Sequence, residues 1–247
     1  MNRMPDLPSR RRPARPSWSQ PISDRLTPAI KAFVITDAIL YAFYVFVREV
    51  RPAMEAHLAL GPGLFQGQLW QPITALFVHF DLLGFIFNMI GLWFVGAFIE
   101  RTQGTRRFVT LFLASGVLAN LTLAGISHLR LYRADAIFDG CSFAVLALFV
   151  AFGRIYGRAP AQIVPGLVLQ ARHISLIFVA WGVVASLLRA DWAQLAATLV
   201  TAAVGYLGAA PGGLSEAWAA LRHRRLRRRY KVIDGGAGRP PPKKYWN

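Results

Sequence analysis

The sequence predicts an all-α integral membrane protein built as a bundle of six transmembrane helices, and three observations predict it. Of its 247 residues, 55% are hydrophobic and only 16% are charged, too little polar surface for a soluble domain of this length. The apolar residues fall in blocks close to the roughly 20 helical residues that cross the hydrocarbon core. The 28 Lys and Arg residues collect at alternate ends of those blocks.

Residues 1–27 read as a disordered basic tail, with Arg10, Arg11, Arg12, Arg15 and Arg25 set among Pro and Ser. No short apolar core with a small-residue cleavage site follows, so this is not the pattern of a signal peptide. Five prolines before residue 22 argue against an amphipathic targeting helix. The first span is expected at 28–50. Pro28 suits a first helical turn, and Ala38–Val47 is almost purely apolar. The loop 51–73 holds Gly61, Pro62, Gly63, Gly67 and Pro72, while its Leu64, Phe65, Leu69 and Trp70 suit a segment lying at the membrane interface.

The second span is expected at 74–99, closing at Glu100 before a basic turn, Arg101–Arg107. The third is expected at 108–127, followed by a polar loop with Arg130, Arg133 and Asp135, and the fourth at 137–156. A connector with Pro160 and Pro165 leads to a fifth span at 173–189, whose start is blurred by the apolar run Ile163–Gln170. A tight turn at Arg189–Trp192 opens the sixth span, 192–210. The membrane domain is thus expected over 28–211, with a basic C-terminal tail over 212–247.

Charge sets the expected orientation. Of the 28 Lys and Arg residues, 23 lie at the N-tail, the 2–3 turn, the 4–5 turn and the C-tail. Arg48, Arg51, Arg130, Arg133 and Arg189 make up the other side. An even number of spans puts both tails on one side, and the positive-inside rule makes that side cytoplasmic. The net charge of +16 therefore reads as topology and argues against nucleic acid as the partner. The stretch Arg222–Lys231 suits anionic lipid, at about 1 kcal/mol per basic residue near the surface. The single cysteine, Cys141, rules out an intramolecular disulfide. No Cys/His cluster has metal-ligand spacing, so neither metal nor cofactor is expected.

Polar residues inside spans are costly and need a reason. They are His79, Asp81 and Asn88 in span two, Ser115, Asn120 and Thr122 in span three, Asp139-Gly140-Cys141-Ser142 opening span four, and Gln194, Thr198 and Thr201 in span six. Asp37 stands one-sided in span one. Ala193, Ala197, Thr201 and Gly205 recur every four residues and form a face of small side chains that another helix can approach closely. If spans four and six pack through such faces, Ser142 and Gln194 come to similar depth.

These residues resemble the rhomboid family, the intramembrane serine protease fold with a six-helix core, over residues 70–207. Trp70-Gln71-Pro72-Ile73-Thr74 is similar to the family's first-loop Trp-Arg segment. Phe77 to Glu100, with Gly104 and Phe108, is similar to its second helix and following turn. Gly140-Cys141-Ser142 resembles the start of its Gly-x-Ser-Gly motif, and Ala193–Thr201 its Ala-His segment. The resemblance implies Ser142 as the nucleophile position and Asn88 and Gly84 as the oxyanion positions. It implies transmembrane segments of other membrane proteins as clients.

Four departures bear on function. Gln194 stands where the family has its base histidine, and Gly84 where it has a second histidine. Phe143 replaces the glycine after the serine, and Gln71 replaces the loop arginine. A serine hydroxyl attacks only when a neighbour takes its proton. A histidine with a pKa near 6.5 does so, whereas a glutamine amide cannot. His79 and His128 are the histidines placed to substitute; His173 and His223 lie on the cytoplasmic side and His57 in the first loop. The expectation is an impaired rhomboid-like pseudoprotease that binds transmembrane clients. The alternative is an active serine endopeptidase using Ser142 with a non-standard base. A transporter is disfavoured, since the spans show neither paired intramembrane charges nor an inverted repeat.

Overall fold

The computed structural model describes residues 26–129, 137–164 and 167–210. The expectations for both tails and for the Arg130–Asp135 loop fall outside these residues.

Helix α1, Pro28–Phe46, starts at the proline, with Thr27 in extended backbone before it. It ends four residues earlier than expected because Val47 leaves helical geometry (φ −112°, ψ 87°). Arg51 stabilises this end: its Nε and Nη2 donate to the carbonyls of Tyr44 and Val45 at 2.7 and 3.0 Å, a basic side chain meeting a helix C-terminus. A 3₁₀ turn, Arg48–Val50, leads into α2, Arg51–His57. A second 3₁₀ turn, Pro62–Gln66, and the short α3, Gln71–Thr74, complete the first loop.

The expected second span divides. Residues 75–81 are not helical, and α4 runs Leu82–Gln103 through a π-helical turn at Leu92–Gly96. Asp81 caps its start by accepting from the Gly84 N–H at 2.6 Å, a normal use of aspartate at this position. The helix passes Glu100 and stops at Gly104, whose φ of +86° only glycine adopts readily. Helix α5 then spans Thr105–His128.

The expected fourth span is shortened at its start: α6 covers Ser142–Ile155. Residues before it are extended. Phe138 and Leu60 exchange backbone hydrogen bonds, both 2.9 Å, and Gly140 has φ +81°. The connector holds an antiparallel hairpin of β1, Pro160–Val164, and β2, Leu167–Gln170, which accounts for the apolar run there. Helix α7 covers Ala171–Leu188 and α8 covers Trp192–Gly208.

Helices α1, α4, α5 and α7 have the length and hydropathy to cross a bilayer, whereas α6 and α8 are apolar but shorter. At 14 residues, α6 is about 21 Å long, against roughly 30 Å of hydrocarbon. It is also the most buried helix, with nine residues from Ala144 to Gly153 inside the bundle. Glycines and alanines allow its close contacts: a Cβ on Gly91 of α4 would fall 2.5 Å from Val145, and Ser175 of α7 abuts Gly153. Leu76, Phe108, Phe112 and Leu148 fill the largest core cluster. The buried Glu100 carboxylate accepts from Ala29 N (3.1 Å), Ile30 N (3.2 Å), Thr105 Oγ1 (2.7 Å) and Thr27 Oγ1. It joins the start of α1 to the α4–α5 turn and satisfies orphan helix N–H groups.

Candidate functional site

The site begins at Gly140. Its N–H lies 2.8 Å from both the Ala75 and the Val78 carbonyl. A Cβ here would meet His79 Nε2 at 3.3 Å and Asn88 Nδ2 at 3.4 Å. Positive φ and this close approach together select glycine. The neighbouring Asp139 carboxylate accepts from Phe80 N at 2.9 Å, tying the segment before α6 to the segment before α4. The chain then places Cys141 in the core and Ser142 as the first residue of α6, exposed. The sequence expectation set Ser142 several residues inside its helix; the observed helix starts on it, because Gly140 interrupts helical geometry.

Asn88, one to two turns into α4, is 5% exposed. Its Nδ2 donates to Ser142 Oγ at 3.1 Å and lies 3.1 Å from His79 Nε2. With the amide as donor, Nε2 is the acceptor and the neutral ring carries its proton on Nδ1. Nδ1 is buried without a partner. Cys141 Sγ lies 3.9 Å from the same Nε2. Ser142, Asn88, His79 and Cys141 thus form one group in which Ser142 Oγ is contacted by a hydrogen-bond donor.

Gln194 sits in the first turn of α8, half-buried. Its N–H donates to the Asp191 cap at 2.8 Å and its carbonyl accepts from Thr198 Oγ1 at 2.8 Å. Among the described residues no hydrogen bond joins its side chain to Ser142. Gly84 contributes an N–H to the Asp81 cap and no side chain. His128 stacks on Phe65 at the exposed end of α5 (centroids 4.1 Å apart). Ala193, Ala197 and Thr201 are buried, and Gly205 meets Ala147 of α6. Phe143 packs on a cluster that includes Leu64, Leu123, Ala193 and Ala197. Gln71 lies in the first loop: it accepts from Gly61 N (3.1 Å) and donates to Ala56 O (3.1 Å) and Gln68 Oε1 (2.9 Å).

Sequence reasoning missed the contacts of Asp81 and Glu100. The Asp-x-x-Gly spacing ahead of an apolar run was an available N-cap signal. Glu100 gave none, because three of its four partners, Thr27, Ala29 and Ile30, lie 70 or more residues away. Among the described residues no group of three or more His, Cys, Asp or Glu side chains is placed to hold a metal.

Helices α1, α4, α5 and α7, long and apolar enough to cross a bilayer, with Ser142 opening α6 and Asn88 donating to it, make this an integral membrane protein. Residues 66–217 match the family model described as a rhomboid domain, and the chain belongs to the rhomboid family. It is similar to the rhomboid protease GluP of Bacillus subtilis, 28% identical over 93 residues, which is 38% of this chain and 18% of that protein. It is 28% identical over 114 residues to a rhomboid protease GlpG homolog of Cronobacter sakazakii, covering 46% of this chain and 37% of that protein. With the rhomboid protease GlpG of Yersinia pestis the figure is 33% over 95 residues, covering 38% and 32%. The matched stretches therefore span less than two fifths of each of these relatives.

Proposed function

We propose that this chain is a proteolytically impaired rhomboid that binds transmembrane segments of client membrane proteins within its helix bundle without cutting them. Both tails would face the cytoplasm, with six crossings between them. One observation carries the reading: Ser142 Oγ receives a hydrogen bond from Asn88 Nδ2, while the position that the family resemblance gives to the base holds Gln194, an amide. Without an acceptor for its proton the hydroxyl stays a poor nucleophile. Loss of one member of such a unit typically costs about four to six powers of ten in rate. Gly84 withdraws a side-chain donor from the oxyanion corner, a loss worth about 2.7–4 kcal/mol in a comparable site.

The second reading, an active endopeptidase, draws on the exposure of Ser142 and on His79, which is linked to the serine through Asn88. A serine-directed fluorophosphonate probe separates the two. The impaired reading expects background labelling of the full-length protein in lipid. Labelling that disappears in Ser142→Ala overturns it in favour of the active enzyme.

A further inference from the structure

Asp37 lies on α1 with 1% exposure, and neither carboxylate oxygen has a hydrogen-bond partner. An intramembrane acid is expensive and calls for a partner. Its depth follows from two contacts between α1 and α4. Ile30 Cδ1 lies where a Cβ on Gly96 would come within 2.7 Å, and Tyr41 stacks on Phe85 with centroids 4.4 Å apart. The two helices are antiparallel here, and the spacing Ile30 to Tyr41 equals the spacing Phe85 to Gly96. Asp37 therefore stands at the level of Met89, the residue that follows Asn88 in the chain.

Other contacts point to the same place. Tyr41, one turn along α1 on the same face as Asp37, stacks on Phe85, and Phe85 meets the His79 ring edge-on at 5.6 Å. Cys141 Sγ, at the start of α6, is 3.9 Å from His79 Nε2. The polar accounts are complementary as well. His79 accepts from Asn88 through Nε2, so it holds an orphan N–H at Nδ1. Asp37 holds two orphan acceptors. Buried polar groups left unpaired cost about 1–3 kcal/mol each, which favours a pairing between facing elements.

We propose that Asp37 accepts the Nδ1–H hydrogen bond of His79 through one buried water, and is the positioning residue that holds His79, and through it Asn88, against Ser142. A carboxylate behind an imidazole sets its tautomer and orientation in the same way around metal sites. The inference rests on reading Ser142 and Asn88 as the site. It does not depend on whether the serine is active.

The test is ¹⁵N NMR of the full-length, histidine-labelled protein in lipid nanodiscs, with His79 assigned by its loss in His79→Gln. The wild type is expected to show a pyrrole-type Nδ1 and a pyridine-type Nε2. Asp37→Leu should reverse or mix the two. Asp37→Asn keeps an oxygen acceptor, so it should keep the tautomer while the Nδ1 proton resonance moves upfield as a charge-assisted bond weakens. A wild-type ring protonated on Nε2 overturns the proposal. So does a His79 spectrum that Asp37→Leu leaves unchanged, or, should that variant not fold, a proton resonance unmoved in Asp37→Asn. Each of these results leaves the fluorophosphonate experiment on Ser142 untouched.

Discussion

Gly205 of α8 rests on the backbone of Ala147 in α6: a Cβ on Gly205 would come within 2.6 Å of the Ala147 carbonyl oxygen and 2.9 Å of its Cα. Backbone atoms in the centre of a buried helix cannot step aside, so this contact sets how closely the two helices approach. The helix that carries Ser142 and the helix that carries Gln194 are held together there, and Ala193 and Ala197 continue the same small face.

Substituting valine at this position forces the helices apart. Gly205→Val should destabilise the protein by about 1–3 kcal/mol or more, the usual cost of overpacking, read as a lower thermal midpoint in detergent. Gly125 of α5 is the control, since a Cβ there meets nothing within 4 Å. Gly125→Ala should be neutral or stabilising, by up to about 1 kcal/mol.

Glu100 should matter more than any surface charge. Glu100→Ala orphans donors on Thr27, Ala29, Ile30 and Thr105. A loss of about 3 kcal/mol is expected from a few buried unpaired groups. Glu100→Gln keeps one acceptor oxygen and should lose roughly half as much. Unfolding in mixed micelles, followed by tryptophan fluorescence, measures both, and equal losses would contradict the capping role.

The first loop should depend on Gln71. Removing its three hydrogen bonds in Gln71→Ala should cost about 1–3 kcal/mol and speed limited proteolysis within 51–73. Gln71→Arg, which restores the residue type of the family resemblance, should do worse, because the side chain is only 1% exposed and an unpaired buried charge is costlier than a cavity. Proteolysis rates no different from wild type would show that the loop is held elsewhere.

For the serine, Gln194→His should raise fluorophosphonate labelling of Ser142 at least about tenfold above wild type, because a general base contributes roughly 10²–10⁴ in rate. Adding Asn88→Ala to that variant should reduce labelling by about 10²–10³, the cost of one oxyanion donor. Labelling-rate time courses give both numbers. If Asn88→Ala has no effect in the histidine background, the amide only bridges helices.

Much of this protein was determined by its sequence alone. The apolar blocks located the helices α1, α5, α7 and α8 to within a few residues, because the cost of placing polar groups in hydrocarbon acts on each segment by itself. The same locality made Pro28 legible as a helix start. The tertiary structure decided what depends on partners distant in sequence. Ser142 opens α6 because Gly140 takes a positive φ against His79 and Asn88, and no local pattern announces that approach. Gln71, read along the chain as a replaced arginine, proves to be a loop brace, and the apolar run after Ile163 a hairpin. Burial, helix approach and hydrogen-bond direction are properties of pairs, and the pairs that make the site join residues 9 and 54 positions apart.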